Sequence, residues 1–505
     1  MLLINRLGRT LAGLLFVSFL AVLLPAHPAS FGVTDDQSSA SDTGDQSSAS
    51  DTSDQSDVSD QTVEATQADP KDKDPKEPKK RYRPKKGPLF NNPMGPPEAR
   101  FRIERHILKA INHVKKGERI RISAYSLDRI QVADALIRAH KRGVKVQVLL
   151  NDHIVPFAQR KIAAVLGRKT KKANFLYRCD SGCRAQKTEY NNLHSKFYLF
   201  SKTGKSENVV MLGSHNMTLN AVRWQWNDLW TGREQPVLYQ YFVDLFNDMR
   251  KDYDVRQPPY EFCDTSPVCD LATNKHYNWV FPKVSTQADD VIMQILNNVQ
   301  CTYADPVTGE TKRTILRLSM HTMRGNRGDY IADKIRNMYA EGCDFKVQYG
   351  LMGFYTKGKI GAPTPRGRIP LRSTGFDLDP DKEEDPLEEV ERYTHQKYLV
   401  IRGSWMNNPA TDIVFTGSSN WASLGTPQDE IIFTIRGTKT VDKYLKNWNF
   451  MWKPPHSRDA YTTTYSNWRV FSEVNGRMVS TIVPRKTVTV EPDGYVGAGP
   501  TWEDD

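Results

Sequence analysis

From Arg119 to Leu150 the chain reads RIRISAYSLDRIQVADALIRAHKRGVKVQVLL, a β-rich stretch at Ile120–Tyr125, then apolar residues at helical spacing, then a second β-rich run from Val144. The same succession returns between Arg313 and Leu351, with strand patterns at Ile315–Met320 and Phe345–Gly350. Ala133 and Ala332 each stand ten residues before a glycine, Gly143 and Gly342, the place where a left-handed cap ends a helix. Strand, helix, strand, twice over, predicts an α/β fold of two similar pseudo-symmetric lobes, each a mixed sheet flanked by helices. We place the lobes at residues 98–260 and 261–455, with a β-rich tail over 456–505 whose strand pattern runs from Tyr461 to Val490.

The pattern changes at the N-terminus. Arg6 and Arg9 precede an apolar run of 14 residues, Leu11 to Leu24, and then PAHPAS. That is the layout of a secretory signal peptide, assigned to residues 1–29, and the run is shorter than the roughly 20 residues a spanning helix needs. Thr34 to Asp69 holds ten acidic and no basic residues, too little apolar surface to offset the entropy of folding. Lys71 to Lys86 reverses the sign, nine basic against three acidic, with several prolines. Residues 30–97 are accordingly expected to be an acidic and then basic disordered linker.

Composition narrows the class further. The 505 residues, 38% hydrophobic, suffice for more than one domain and exclude a coiled-coil rod and a polytopic membrane protein. The net charge is +11, and residues 87–505 alone carry +13, so the globular part is basic in its own right. All six cysteines follow the expected cleavage region. No C-x-x-C pair is present, so disulfides in an exported protein are the expectation rather than zinc. Six cysteines allow 15 connectivities. The local one joins Cys179 with Cys183, Cys263 with Cys269, and Cys301 with Cys343.

Beyond each strand–helix–strand unit the same polar residues recur in the same order. The first copy reads NNLHSKFYLFS and then VVMLGSHNMTLNAVRWQWNDLW; the second reads RYTHQKYLVIRG and then DIVFTGSSNWASLGTPQDEIIF. His194 and Lys196 precede Asn216 by 22 and 20 residues, and His395 and Lys397 precede Asn420 by 25 and 23. Residues two apart on a strand face the same side, so each histidine projects with its lysine. Gly213-Ser214 and Gly417-Ser418 close apolar strands and suit a tight turn that presents the asparagine. If the halves pack face to face, two imidazoles, two ammonium groups and two carboxamides surround one point.

That set suits a phosphodiester. Lysines neutralise non-bridging oxygens, carboxamides donate to them, and one imidazole attacks phosphorus while the other protonates the departing oxygen. The scheme uses no metal and no cofactor. Asp228 and Glu430, 12 and 10 residues after the asparagines, are the candidate supports for the histidine rings, with Asp429 competing for the second place. His106, His113, His140, His153, His215, His276 and His321 have no duplicated partners and are read as structural or exposed.

The duplicated H-x-K followed by G-S-x-N resembles the phospholipase D superfamily, and the match spans roughly Glu98 to Trp452. The resemblance implies two α/β lobes with the active site at their interface, a covalent phosphohistidine and no metal cofactor. Position by position it makes His194 the nucleophile and His395 the acid, with Lys196, Lys397, Asn216 and Asn420 holding the phosphate. The family's aspartate five residues after each lysine is missing: Ser201 and Arg402 stand there. Tyrosyl-DNA phosphodiesterases, a branch of the same superfamily, lack it as well.

The expected function is therefore a secreted, monomeric phospholipase D-like phosphodiesterase acting on phospholipid head-group esters at a membrane surface, with possible transfer to alcohols. A nuclease or other polyanion phosphodiesterase is the alternative, favoured by the basic charge, and a non-catalytic lipid or polyanion binder is a third reading. Trp224, Trp226, Trp230, Trp405 and Trp421 are read either as a lipid-contacting rim or as buried packing. Gly353 to Arg392 is expected to be a long loop before His395.

Overall fold

The computed structural model describes residues 82–490, apart from 266–267, 377, 379–389 and 475–476. The segments read as signal peptide and acidic tether lie outside the described residues.

Two sheets carry the chain. The first has seven strands, in spatial order Gly87–Phe90, Asp228–Gly232, Ser206–Gly213, Phe197–Thr203, Arg119–Ala124, Lys145–Asn151 and Phe175–Cys179. In the second, the run Ile431–Arg436, Asn408–Gly417, Lys397–Trp405, Ile315–Arg324, Asp344–Met352 and Leu371–Ser373 repeats the last six of these in the same order. In both, the three pairings on the H-x-K side are antiparallel and the next two parallel. The duplicated pattern in the sequence is thus a duplicated topology. Tyr277–Val280 and Tyr260–Cys263 extend the second sheet past Ile431–Arg436.

Helices form where the apolar spacing placed them. Ile130–Lys141 and Gly325–Ala340 fill the crossovers between the parallel strands, and the glycine after each cap, Gly143 (φ 87°) and Gly342 (φ 112°), takes the left-handed conformation that L side chains avoid. Each sheet buries one face against its own helices: Ile107, Leu136 and Ile162 cover the first, and Ile295, Ile331 and Ile360 the second. The other faces meet in a shared apolar layer. Phe197, Leu199, Leu212 and Trp230 from one side join Tyr398, Val400, Val414 and Phe433 from the other, with the helices Pro236–Met249 and Thr438–Met451 in the same cluster. Leu, Val and Phe side chains in this layer are removed from water, at roughly 1.5–3 kcal/mol each, so the two halves are bound as one body.

Two expectations change, and a third resolves to one of its two readings. The linker assigned through residue 97 ends earlier, because Gly87–Phe90 pairs antiparallel with Asp228–Thr231 and supplies the hydrogen bonds an open edge would lack. The stretch 353–392 is not one long loop: Phe354–Gly361 is helical, burying Thr356, Lys357 and Ile360, and Leu371–Ser373 adds a parallel strand beside Val347–Tyr349. Of the five tryptophans, Trp226, Trp230, Trp405 and Trp421 are buried packing, and only Trp224 is exposed. The strands Tyr461–Val474 and Arg477–Val490 form a hairpin whose base touches the second lobe through Tyr461 Oη, which donates to the Ile369 carbonyl (2.8 Å).

The cysteines pair locally: Cys179–Cys183, Cys263–Cys269 and Cys301–Cys343. No helix among the described residues is long and apolar enough to cross a membrane.

Candidate active site

Each G-S-x-N turn leaves its strand by one device. Ser214 N–H donates to the Asp228 carbonyl (3.1 Å) and Ser214 Oγ accepts from Asp228 N–H (3.1 Å); Ser418 repeats both bonds with Ile431 at the same distances. The neighbouring backbone explains the glycine before each serine. A Cβ on Gly213 would stand 2.3 Å from the Asp228 carbonyl oxygen, and one on Gly417 2.2 Å from that of Ile431. These bonds also fix which residues correspond. Asp228 matches Ile431, so Asn227 matches Glu430.

The histidines cross between the lobes. His194 donates its backbone N–H to the Asp429 carbonyl (3.1 Å), which brings its ring to Glu430: Nδ1 and Oε1 are 2.6 Å apart, with both side chains almost wholly buried. His395 donates its backbone N–H to the Trp226 carbonyl (2.9 Å), which brings its Nδ1 to Asn227 Oδ1 at 2.9 Å. The strand ahead of the second lobe's H-x-K therefore lies parallel to Gln225–Trp226 of the first. Each histidine is seated by the segment that follows the other lobe's G-S-x-N turn.

The ring tautomers follow from the partners. A carboxylate only accepts, so His194 Nδ1 donates to Glu430 and Nε2 is left as the basic nitrogen. Asn227 Nδ2 donates to the Ala221 carbonyl (3.1 Å), which turns Oδ1 toward His395; Nδ1 donates there too. Lys397 Nζ donates to His395 Nε2, and Lys196 Nζ to the His194 carbonyl (2.9 Å). Tyr125 packs edge-on to His194 (5.4 Å between centroids) with Lys196 over its ring, and His321 packs edge-on to His395 (4.8 Å). Asn216 and Asn420 are buried in their turns.

Of the eight residues singled out by sequence, His194, Lys196, Glu430, His395 and Lys397 share these contacts, Asn216 and Asn420 lie in the adjoining turns, and Asp228 stands elsewhere. Its carboxylate accepts from Thr416 Oγ1 (2.7 Å) and Tyr444 Oη (3.0 Å) in the layer between the sheets, where burial pushes its pKa up. The residue under the second histidine is Asn227, missed because the first copy spaces its ring partner one residue farther from the asparagine, 11 against 10, and a carboxylate was sought. Asp429 is not a ring partner either. It receives the backbone N–H groups of Cys183 and Arg184, and burial raises its pKa to about 7. Ser201 and Arg402 lie at the far ends of their strands, bonded to Glu118 and to Asp412 and Asp442. Among the described residues no cluster of three or more metal-ligating side chains occurs.

Residues 107–250 match the family model described as "Cardiolipin synthase, PLD-like domain". They form a phospholipase D-like domain. The matched span contains His194, Lys196 and Asn216, so the family resemblance is shown on the first copy of the motifs. No curated protein matches the chain. Among solved structures, the chain is similar to phosphatidylserine synthase of Haemophilus influenzae (12% identity, TM-score 0.46, covering 74% of this chain and 87% of that one). It is also similar to Nuc, a phospholipase D family member from Salmonella typhimurium (22%, TM-score 0.25, 34% and 98%). Polyphosphate kinase of Porphyromonas gingivalis is a third (14%, TM-score 0.44, 72% and 50%), and this chain spans half of its length. These are likenesses of the backbone. Members of the phospholipase D superfamily are phosphodiesterases or phosphotransferases, and the matched domain supports a phosphodiesterase-like enzyme in that coarse sense.

Proposed function

We propose that the protein is an exported phosphodiesterase that hydrolyses phospholipid head-group esters through a covalent phosphohistidine. The observation that carries this reading is the crossed seating of the rings, His194 on Glu430 and His395 on Asn227. Both rings are held at Nδ1, so in this reading Nε2 is the nitrogen that each ring presents to a phosphorus between the lobes.

His194 Nε2 attacks phosphorus, and the P–O bond to the leaving alcohol breaks as protonated His395 Nε2 gives that oxygen its proton. Water then attacks, neutral His395 takes its proton, and the P–N bond to His194 breaks. An alcohol in place of water gives transfer. Lys196 and Lys397, with Asn216 and Asn420, hold the non-bridging oxygens. In the substrate-free arrangement Lys397 donates to His395 Nε2. An incoming phosphate must draw that ammonium onto its own oxygens, which frees the nitrogen to carry a proton.

Lipid is favoured over other diesters by exposed apolar side chains on the segments that leave two corresponding strands, Lys145–Asn151 and Asp344–Met352. Ile154, Val155 and Phe157 follow the first, Phe354 and Tyr355 the second. His153, on the first segment, stacks on Tyr125 (3.9 Å), the ring beside His194. The +13 charge of residues 87–505 favours a nucleic acid instead, and one assay separates the two. Protein in EDTA is offered phosphatidylcholine in detergent, single-stranded and duplex DNA, and a chromogenic phosphodiester. Head-group release, lost by on the order of 10⁴-fold in His194→Ala and His395→Ala, with intact DNA, is the expected result. DNA cleavage with unchanged lipid selects the alternative, and no turnover of any diester leaves the binding module.

A further inference from the structure

Asn420 is held from behind. Its backbone carbonyl accepts from Arg327 Nη1 at 2.5 Å, and the same guanidinium grips Asp290 with Nε (2.7 Å to Oδ2) and Nη2 (3.2 Å to Oδ1). Asp290 is wholly buried and cannot swing: it caps the helix Val291–Asn297 by accepting from Ile292 N–H (2.7 Å) and accepts from Tyr330 Oη (2.6 Å). The other side of the carbonyl is closed by Gly425, where a Cβ would stand 1.9 Å from the Asn420 oxygen and 2.9 Å from Arg327 Nη1. The Asn420 side-chain oxygen, by contrast, is buried without a hydrogen-bond partner. The direction of its carboxamide is therefore set by the backbone, and the backbone by the guanidinium.

We infer that Arg327, braced by Asp290, is a positioning residue that aims Asn420 at the phosphate. The inference rests on the phosphodiesterase reading and deepens it. A donor for developing charge must stand in place before the reaction, and a misplacement of about 1 Å can lower a rate by roughly 10²-fold. The first lobe carries a matching buried pair, Arg129 Nε to Glu104 Oε2 (2.7 Å) and Nη2 to Oε1 (3.3 Å), and ties its turn by backbone bonds as well. There Asp128 and Met217 exchange backbone bonds with each other's neighbourhood, Asp128 N–H to the Met217 carbonyl (3.1 Å) and Met217 N–H to the Ser126 carbonyl (3.3 Å), while the Asp128 carboxylate accepts from Leu219 N–H (3.0 Å). Lysine has no fork and cannot hold both Asp290 oxygens and the Asn420 carbonyl.

The test is Arg327→Lys, alone and combined with Asn420→Ala, on the chromogenic diester. Alone it is expected to lower kcat by about 10 to 100-fold, with KM within about twofold and the thermal midpoint near that of the wild type. In the Asn420→Ala background it is expected to change kcat less than twofold, because the residue acts through that carboxamide. An equal loss in both backgrounds, or an unchanged kcat in the single variant, overturns the inference. Should Arg327→Lys fold poorly, Asp290→Asn, which keeps an N-cap residue, is expected to show the same dependence on Asn420. A wild type that turns over no diester fails the underlying reading. Orthophosphate binding by calorimetry then decides the positioning role alone, which stands if Arg327→Lys and Asn420→Ala weaken binding to the same degree and non-additively, and falls otherwise.

Discussion

The two half-sites share a topology and differ in what they place under the histidine. His194 rests on the carboxylate of Glu430, whereas His395 rests on the carboxamide of Asn227, itself tied to Ser214 Oγ (2.9 Å) and the Ala221 carbonyl. A carboxylate stabilises positive charge on the ring it faces, as on a nitrogen that has become bonded to phosphorus. A carboxamide orients the ring without that charge term, which suits a group that must release a proton as well as take one. The duplication thus supplies two equal frames, and in the proposed mechanism one residue pair separates nucleophile from acid. The turns differ as well: His215 stands in the first where Ser419 stands in the second.

The largest effect should come from erasing that difference. Glu430→Gln puts carboxamides under both rings and is expected to lower kcat by about 10²- to 10⁴-fold, the scale seen when a triad carboxylate becomes an amide. A kcat within threefold of wild type would show that the charge is immaterial. The opposite change, Asn227→Asp, keeps a ring partner but turns an anion toward the Ala221 carbonyl, and should act more on stability than on kcat.

Crosslinks separate the halves on the stability scale. Cys301–Cys343 closes a separation of 42 residues and Cys179–Cys183 one of only 4. By the loop-entropy relation their removal by serine is expected to cost about 4 and about 2 kcal/mol, measured by denaturant unfolding. Equal losses would locate the contribution in native contacts rather than in chain entropy.

The smallest effect concerns pH. Burial, with the Arg129 charge as a lesser cause, lowers the His215 pKa from 6.5 to about 3. Between those values the unfolded chain binds a proton that the folded one does not, so this residue's contribution to stability is complete above about pH 6.5 and is lost as the pH falls toward 3. His215→Ser, which copies Ser419, should leave stability near neutral pH almost unchanged, remove that acid loss and shift the acid-unfolding midpoint by circular dichroism downward. A midpoint that stays in place would assign acid lability elsewhere.

Much of the frame was legible because periodicity is local. The strand–helix–strand units, the caps at Gly143 and Gly342, and the H-x-K and G-S-x-N residues declare themselves by spacing, and their recurrence lifted them above chance. The ring partners were only half legible. Spacing points to Glu430 but to Asp228 in place of Asn227, since counting along the chain cannot reveal a one-residue difference that the Ser214–Asp228 and Ser418–Ile431 bonds make plain. Arg327 and Asp290 gave no sequence signal at all: they stand 93 and 130 residues before Asn420, in a helix and at a cap.

By itself the sequence determined the alternation of strands and helices, the duplication, and the chemistry of six polar side chains, because each depends on neighbours within a few residues or on a repeat. The tertiary structure alone decided that each histidine is seated by the opposite lobe, which carboxyl or carboxamide lies under it, and what holds Asn420. Those are contacts between segments up to 236 residues apart. They are fixed by how two sheet faces bury one apolar layer, a property no single stretch of chain carries.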